Sequence, residues 1–259
     1  MIGTPSDRAL VIVPTYNELE NISAVTSRLF EQTADRNVEL LVVDDNSPDG
    51  TAWTVRSLQQ ERDGIHLIER EGRMGLGSAY VDGFRWALER GYSQIVEMDA
   101  DLSHDPADVV RLLDALADAD VSIGSRYVPG GEVVNWSRAR QWLSRGGNIY
   151  ARMWLGFGVK DATSGFRAYR ASALEATDLS GIRSGGYGFQ VEMVRRIHRA
   201  GGVIKEIPIK FVDRTSGRSK MSRRIVLEAL FLVTAWGIRD RILWRRQPKD
   251  RSQIGFRNR

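Results

Sequence analysis

The sequence lacks several features that mark particular classes of protein. It contains no cysteine, which excludes disulfide bonds and thiolate metal sites. It has no run of about 20 apolar residues that could cross a bilayer. Its N-terminus has no basic segment followed by an apolar core, so we expect no signal peptide. The 259 residues, 42% hydrophobic and 27% charged, are typical of a soluble globular protein with one large α/β domain or one domain and an appendage.

The charge is unevenly distributed along the chain. Residues 214–259 contain 13 Lys and Arg against 3 Asp and Glu, a net charge of about +10. The whole chain carries only +4, which leaves about −6 on residues 1–213. A basic C-terminal fifth on a mildly acidic body predicts an anionic partner: lipid headgroups, phosphates or nucleic acid.

The longest apolar stretch, IVLEALFLVTAWGI at 225–238, lies inside this basic segment. It contains Glu228 and is flanked by SRR before and RDRILWRR after. Two interpretations stay open. The stretch is either a buried core helix, or a helix in the membrane interface with Trp236 and Trp244 at the depth of the headgroups.

Short apolar runs alternate with helical patterns through the first half of the chain. The predicted strands are 9–16, 38–45, 65–70, 93–101 and 121–127, and a helix follows each of the first four. This alternation predicts an α/β fold with a mainly parallel central sheet and helices on both faces. Residues 128–185 are less regular and rich in Gly, Arg and Trp, and no linker indicates a second independent domain.

Polar motifs follow three of the predicted strands. TYNE (15–18) follows the first, DDNSPDG (44–50) the second and DAD (99–101) the fourth. Open α/β sheets bind ligands at the carboxyl ends of their strands, near the point where the strand order reverses. The three motifs are therefore predicted to meet at one ligand-binding edge.

The stretch EMDADLSHDP (97–106) places Asp99 and Asp101 one residue apart. Neighbouring carboxylates repel each other, and as hard oxygen donors they suit Mg²⁺ or Mn²⁺. The alternative is that Asp101 or Ser103 only caps the next helix. Asp105 with Pro106 already supplies an N-cap and a first helical residue, which leaves the pair unexplained. We therefore favour a metal and a phosphate at the pair.

Three further features are weaker when taken alone. His104 lies beside the aspartates, but imidazole suits Mg²⁺ poorly, so we interpret it as a neighbour. One member of the pair Asp44 and Asp45 could bind a nucleotide and the other could hold the turn, or both could be turn formers. GRMGLGSA (72–79) fits neither a P-loop nor a dinucleotide fingerprint. Its glycines allow either close approach to a ligand or tight helix–strand packing.

Arginines recur in Gly- and Ser-rich segments where no helix face demands them. A guanidinium group binds phosphate oxygens in a bidentate manner, so this recurrence favours an anionic ligand although single surface arginines are uninformative. The residues concerned are Arg126, Arg138, Arg140, Arg145, Arg167, Arg214, Arg218 and Lys220.

Taken together, the motifs resemble a known family. VIVPTYNELENI, VVDDNSPDGT, GLGSAY, MDADLSHDP, GSRYVPGG, DATSGFRAY, GYGFQVEM and GRSKM occur in the order found in dolichol/polyprenol-phosphate mannosyltransferases. These are inverting family-two glycosyltransferases with the GT-A nucleotide-sugar-binding fold. The resemblance covers about residues 9–222 and implies a catalytic domain over 1–222. Residues 223–259 would then form a basic amphipathic helix and tail at the membrane interface.

The resemblance implies transfer of mannose from GDP-mannose to a polyprenyl phosphate, with release of GDP. The residues that it assigns to the donor nucleotide-sugar are Pro14, Tyr16, Glu18, Val43, Asp45, Gly75, Asp99, Ala100 and Asp101. Asp99 and Asp101 would bind Mg²⁺ or Mn²⁺ on the diphosphate. Some relatives have Gln at the position of Ser103 as a third metal ligand, so serine would bind through water or not at all.

The same resemblance assigns the catalytic and phosphate-binding positions. They are Asp101, Arg126, Arg140, Arg214 and Lys220. The acceptor lipid implies a peripheral position on the cytoplasmic face of a membrane, and it leaves room for a partner protein that anchors the chain there. Two alternatives stay open: a polyprenyl-phosphate glycosyltransferase that uses a UDP-sugar, and a basic nucleic-acid-binding protein. The mannosyltransferase interpretation predicts no nucleic-acid partner.

Overall fold

The structure is a computed structural model that describes residues 8–182, 184, 186–213 and 223–244. The predicted phosphate-binding residues Arg214 and Lys220 lie outside these ranges, as do Arg218 and the tail after Trp244. The strands are β1 (Ala9–Thr15), β2 (Val38–Asp44), β3 (Ile65–Glu69), β4 (Gln94–Glu97), β5 (Val121–Ser125), β6 (Glu132–Val134), β7 (Arg167–Arg170), β8 (Ile204–Pro208) and β9 (Lys210–Val212). The helices are α1 (Leu19–Gln32), α2 (Thr51–Glu61), α3 (Leu76–Glu89), α4 (Asp108–Ala115), α5 (Arg138–Leu155), α6 (Ala171–Glu175), α7 (Gly186–Arg199) and α8 (Arg223–Trp244).

Seven strands form the central sheet in the order β3-β2-β1-β4-β7-β5-β8. The neighbours β3-β2, β2-β1, β1-β4 and β5-β8 pair in parallel, whereas β7 is antiparallel to both β4 and β5. A second, two-stranded sheet pairs β6 with β9. The strand order reverses between β1 and β4, which is the topological switch point of such a sheet. The predicted α/β fold with a mainly parallel sheet is confirmed.

Alternate residues of the strands face opposite sides of the sheet, and each side carries its own hydrophobic cluster. Leu10 and Ile12 of β1 pack with α3, α7 and Val233 of α8 on one side. Val11 and Val13 pack with α1, α2 and α4 on the other. The predicted helices on both faces are therefore present.

The structure corrects the predicted boundaries around the aspartate pair. The fourth strand was predicted to include Asp101, but β4 ends at Glu97, so Asp99 and Asp101 lie in the loop that follows. The next helix was predicted to have Asp105 as its N-cap and Pro106 as its first residue, but α4 begins at Asp108. The backbone N–H of Asp108 donates to the carbonyl of Asp105, and that of Val109 to Pro106. Asp105 therefore opens a turn that leads into the helix.

Residues 128–185, predicted to be less regular, contain regular structure that the sequence did not reveal: β6, α5, β7 and α6. β8 and β9 were also missed. β6, β7 and β9 are only three or four residues long, and such strands are too short to show a clear period. α5 spans 18 residues, with the side-chain oxygen of Ser137 capping it by accepting a hydrogen bond from the backbone N–H of Arg140.

Helix α8 packs along α5 and α7. A Cβ atom on Gly237 would lie 2.8 Å from Cε3 and 2.9 Å from the carbonyl oxygen of Trp154, so glycine permits the close crossing with α5. Asp240 pairs with Arg195 and Arg199 of α7. In the described part of the chain, none of the helices is long and apolar enough to traverse a bilayer.

Candidate active site

The carboxyl ends of β1, β2 and β4 place the three predicted motifs at one edge of the sheet. Each motif turns through a residue with a left-handed backbone conformation: Asn17 (φ 60°), Asn46 (φ 57°) and Leu102 (φ 58°). Asparagine tolerates this conformation, but a leucine there is strained, and such strain is concentrated at functional sites. The tight turn at Leu102 follows Asp101 directly.

Ser103 and His104 support the two aspartates. The backbone N–H of Ser103 donates to Oδ1 of Asp101 at 3.1 Å, and the Ser103 hydroxyl donates to the same oxygen. The backbone N–H of Asp99 donates to Nδ1 of His104 at 3.2 Å. The His104 ring is buried and stacks on Phe166 at 4.7 Å between centroids. Burial lowers the pKa of His104 to about 4, so near pH 7 its neutral ring can accept this bond.

The donors at the pair fit a Mg²⁺ or Mn²⁺ ion of the kind that is held jointly by protein and phosphate. Both carboxylates are partly exposed, and Asp99 is 35% exposed. Within the ranges that the structure describes, no group of three or more His, Cys, Asp or Glu could hold a metal by itself. Mg²⁺ is commonly bound by one or two carboxylates together with substrate phosphates, which matches two aspartates without a third ligand.

Asp45 belongs to an ion pair at the start of the glycine-rich segment. Its Oδ1 pairs with the buried Arg70, and its Oδ2 accepts the backbone N–H of Gly75 at 2.9 Å. Arg70 also donates to the Ser78 hydroxyl at 2.7 Å. Asp45 and Arg70 therefore fix the entrance of α3 against the edge. Gly77 serves packing, since a Cβ there would lie 2.8 Å from the carbonyl oxygen of Ser184.

Asp44 holds the turn after β2. Its carboxylate accepts hydrogen bonds from the Thr15 hydroxyl at 2.7 Å and from the backbone N–H of Ser47 at 2.7 Å. The two aspartates thus have separate contacts: Asp44 braces the turn, whereas Asp45 faces the glycine-rich segment.

The remaining residues predicted to bind the donor differ in how much of the side chain is exposed. Pro14, Tyr16 and Glu18 are half-buried at the end of β1, and the guanidinium of Arg73 lies 4.4 Å from the Tyr16 ring centroid. The Val43 side chain is fully buried in the core, and Ala100 is 4% exposed. Val43 could therefore contact a nucleotide only through its backbone atoms.

The antiparallel strand β7 brings the DATSGFRAY motif to the same edge, because it begins where β4 ends and Arg167 pairs with Glu97 in register. The Arg167 side chain is fully buried. Its guanidinium donates to the carbonyls of Ser164 (2.7 Å), Ala162 (2.7 Å) and Gln190 (2.9 Å). Arg167 was predicted to be one of several arginines that bind an anion. Its guanidinium group instead donates to three backbone carbonyls and stabilises the conformation of this loop.

Glu97 lies beneath the aspartates in a fully buried network. It accepts the Tyr169 hydroxyl at 2.9 Å and the Gln190 amide at 2.7 Å. Burial raises the pKa of Glu97 to about 7, although Arg167 and both hydrogen bonds act in the opposite direction. The network ties β4, β7 and α7 together behind the loop that carries Asp99.

Arg126, which follows β5, forms a bidentate ion pair with Asp161. Its Nε and Nη2 donate to the two carboxylate oxygens at 2.7 Å each, and Nη2 also donates to the Thr163 hydroxyl at 3.0 Å. Asp161 is fully buried; burial acts to raise its pKa, but Arg126 outweighs this effect and lowers it. Arg126 thus faces a protein carboxylate in this structure, and its contact with a phosphate stays a prediction.

Arg140 of α5 lies close to Arg126 through an aromatic side chain that they share. Arg140 Nη1 donates to Asp213 at 2.8 Å, and its guanidinium carbon lies 4.0 Å from the Trp136 ring centroid. The Arg126 guanidinium carbon lies 5.2 Å from the same centroid. Phe211 contacts Trp136 edge-on at 5.4 Å and His104 at 5.5 Å. An aromatic wall therefore connects the arginines with the aspartate loop.

A cavity of about 360 Å³ opens beside the arginines. Its lining is almost entirely apolar and comes mainly from α5 and α8, including Trp142, Tyr150, Leu230 and Val233. Trp136 and Thr163 also line it, and both contact Arg126. The arginines therefore lie at one end of an apolar cavity.

Sequence reasoning missed several residues of this site. Arg70, Asp161 and Trp136 were given no role, and Arg167 was grouped with the arginines expected to bind an anion. DATSGFRAY was noted as a motif, and Asp161 and Arg167, six positions apart within it, were the available signal. Arg70 and Trp136 stand in no distinctive sequence pattern.

Comparison with known proteins gives consistent results. Residues 10–177 match the sequence profile described as glycosyl transferase family 2. The chain is 50% identical over 234 residues to the undecaprenyl-phosphate mannosyltransferase of Micrococcus luteus, covering 90% of this chain and 96% of that protein. It is 49% identical over 240 residues to the polyprenol monophosphomannose synthase of Mycolicibacterium smegmatis, covering 92% and 90%.

Among solved structures, the chain resembles a mannosyltransferase of Pyrobaculum calidifontis in complex with GDP-Man and Mn²⁺. The TM-score is 0.63 at 23% identity, and the match covers 92% of this chain and 66% of that one. This likeness concerns the fold and confirms the GT-A architecture. The family resemblance is confirmed, and the comparisons favour neither the UDP-sugar nor the nucleic-acid alternative.

Proposed function

The chain belongs to glycosyl transferase family 2, and we propose that it transfers mannose from GDP-mannose to a polyprenyl phosphate with inversion, releasing GDP. The observation that carries this proposal is the layout of one sheet edge. An aspartate pair suited to a sugar diphosphate, two arginines suited to a second phosphate and an apolar cavity suited to a lipid chain lie together there. The near full-length similarity to two polyprenol-phosphate mannosyltransferases supports it.

Metal dependence belongs to the same proposal. Asp99 and Asp101 would hold a Mg²⁺ or Mn²⁺ ion, with Ser103 orienting Asp101 rather than serving as a ligand. A bound cation of this kind offsets the charge of a diphosphate leaving group. The similar Pyrobaculum enzyme, which contains Mn²⁺, supports this part of the proposal.

The chemistry places modest demands on proton transfer. A phosphate acceptor is already ionised near pH 7, so the nucleophilic oxygen needs no strong general base. The chain must instead hold two anions close together. Arg126 and Arg140 would bind the acceptor phosphate, Asp45 and the residues after β1 would hold the nucleotide, and positioning of the oxygen behind the anomeric carbon would be a main contribution. In-line attack then converts α-mannosyl into β-mannosyl phosphate.

We also propose that α5 and α8 together form the membrane-facing surface. Large apolar side chains on both helices are exposed: Trp142 (76%), Leu143 (45%), Ile149 (52%), Met153 (65%), Phe231 (73%), Ile238 (48%) and Ile242 (50%). α5 contains four arginines and no acidic residue, which suits an anionic lipid surface. Trp236, expected at headgroup depth, packs instead against the core, so α8 combines both interpretations of the 225–238 stretch. The cytoplasmic side and an anchoring partner stay predictions.

Donor specificity tests the function directly. Purified protein is incubated with undecaprenyl phosphate in detergent, Mg²⁺ or Mn²⁺, and labelled GDP-mannose, UDP-glucose or UDP-N-acetylglucosamine. We expect label in the lipid only from GDP-mannose, none with unphosphorylated undecaprenol, and none with Asp101→Ala. Label entering lipid only from a UDP-sugar would refute the mannose assignment.

Vesicle binding tests the membrane surface. The double variant Trp142→Glu/Met153→Glu should associate at least about tenfold more weakly with vesicles that contain anionic lipid, because two exposed apolar side chains no longer enter the interface. Trp53→Glu is the matched control, since Trp53 is 70% exposed on α2, which packs on the opposite face of the sheet. Equal partitioning of both variants would contradict the proposal.

A further inference from the structure

Trp136 carries an indole N–H without an acceptor in the part of the chain that the structure describes. Its side chain is only 9% exposed, and Nε1 is shielded from solvent without a hydrogen-bond acceptor among the described residues. Nε of Arg140 is shielded and unpaired in the same sense. A buried donor without an acceptor loses its hydrogen bond to water and gains none in return, so two of them in contacting side chains are unusual in a folded protein.

Two guanidinium groups flank these donors. Arg140 lies 4.0 Å and Arg126 5.2 Å from the Trp136 ring, so one aromatic group holds two guanidinium groups by cation–π contact. The carboxylates of Asp161 and Asp213 each pair with one of them. An anion that entered here would meet two unpaired N–H donors as well as two cations.

The cavity limits what kind of anion fits. Trp136 lines its polar end, and the rest of the lining consists mainly of apolar side chains and glycines of α5 and α8. A small inorganic ion would leave this apolar space unfilled. A phosphate ester with a long hydrocarbon chain would satisfy the donors with its head and the apolar lining with its chain.

We propose that Trp136 binds the phosphate group of the lipid acceptor, its indole N–H donating to a phosphate oxygen beside Nε of Arg140. The ring holds Arg140 in the orientation that presents Nε. This inference rests on the proposed function only for the identity of the lipid. It assigns to Trp136 a role in recognising the phosphate rather than the hydrocarbon chain.

Equilibrium binding tests this role without any sugar donor. Titration calorimetry with farnesyl phosphate, farnesol and inorganic phosphate compares wild type with Trp136→Phe, which keeps an aromatic ring and removes the N–H. We expect binding of farnesyl phosphate to weaken about 10-fold, the loss that removal of one hydrogen bond to a charged group gives, with farnesol binding unchanged. Trp53→Phe is the matched control, because Trp53 is 70% exposed on α2, which packs on the opposite face of the sheet.

Kinetics give a second readout. In Trp136→Phe, KM for the lipid phosphate should rise about 10-fold while KM for the nucleotide-sugar stays within about twofold. Arg140→Lys, which keeps the charge and removes the Nε donor, should weaken farnesyl phosphate binding similarly and keeps the inference testable if Trp136→Phe does not fold.

Three outcomes would overturn the inference. Unchanged farnesyl phosphate binding in Trp136→Phe would show that the indole N–H does not bind the phosphate. An equal loss of farnesol binding would show that Trp136 contacts the hydrocarbon chain of the lipid. Inorganic phosphate binding as tightly as farnesyl phosphate would indicate a site for the free ion. If GDP-mannose supports no transfer but selective lipid-phosphate binding persists in wild type and weakens in the variant, the proposed donor fails and the role of Trp136 stands.

Discussion

Ser103 donates both its backbone N–H and its hydroxyl to Oδ1 of Asp101, so one carboxylate oxygen is held from two directions by the residue two positions later. Ser103 is itself 2% exposed. Both donors of the serine are therefore directed at the aspartate. Its contribution is to fix the orientation of a carboxylate that follows no strand or helix directly.

Ser103→Ala should lower the affinity for the divalent metal ion that we propose at Asp101. Loss of an outer hydrogen bond to a metal-binding carboxylate typically costs 10- to 100-fold in metal affinity or activity, and we expect about tenfold here. The measurement is the Mn²⁺ concentration that gives half-maximal transfer. Ser122→Ala is the control, because the Ser122 hydroxyl is equally buried and donates to the carbonyl of Leu112 in α4. Identical Mn²⁺ curves for both variants would contradict an orienting role.

The ion pair of Arg126 with Asp161 should dominate the stability of its loop. Arg126→Ala leaves the fully buried Asp161 without its partner, which we expect to lower the free energy of unfolding by about 3–5 kcal/mol. The double variant Arg126→Ala/Asp161→Ala should be less destabilised than the sum of the two single variants. Urea unfolding measures all three, and additive effects would show that the pair is not coupled.

Glu39, which lies at the end of the sheet away from the site, should make the free energy of unfolding depend on pH in the acid range. Burial raises the pKa of Glu39, but hydrogen bonds from Arg8, His66 and Tyr92 outweigh this and lower it to about 2. Because the folded pKa lies below the unfolded value of 4.5, the stabilisation is present above about pH 4.5 and is lost as the pH falls towards 2.

The corresponding variant is Glu39→Gln, with exposed Glu31→Gln as its control. The lowered pKa of Glu39 corresponds to a stabilisation of about 3 kcal/mol at neutral pH. The difference in unfolding free energy between wild type and Glu39→Gln should shrink between pH 5 and pH 2. A difference that stays constant over this range would exclude the linkage.

Gly237→Ala should loosen the contact of α8 with α5. The added methyl group would meet the Trp154 backbone oxygen at 2.9 Å, and a backbone atom cannot move aside cheaply. We expect a loss of about 1–3 kcal/mol in the free energy of unfolding, as for overpacked sites. Gly147→Ala on α5, where nothing lies within 4 Å of the new Cβ, should be neutral or stabilising by up to about 1 kcal/mol. Thermal and urea unfolding compare the two, and equal stabilities would show that the crossing is not close-packed.

Local patterns were sufficient for the part of the fold with parallel strands. Each of the first five strands contains apolar residues that enter the core, and each predicted segment contains the observed strand and extends up to four residues beyond its C-terminal end. The predicted strand exceeds the observed one most at β4, because the backbone leaves the sheet there to form the loop of Asp99 and Asp101. Short strands such as β7, whose sequence RAYR contains two arginines, carry no comparable signal.

The sequence by itself determined the α/β alternation, the polar motifs after the strands and the family, because these depend on residues that are close together in the chain. Only the tertiary structure decided which side chains meet. Arg126 reaches Asp161 across 35 positions, and Gln190 reaches Glu97 across 93. The physical reason is the antiparallel strand β7. By beginning where β4 ends, it carries its loop, and with it Asp161 and the buried Arg167, to the edge where the aspartates lie.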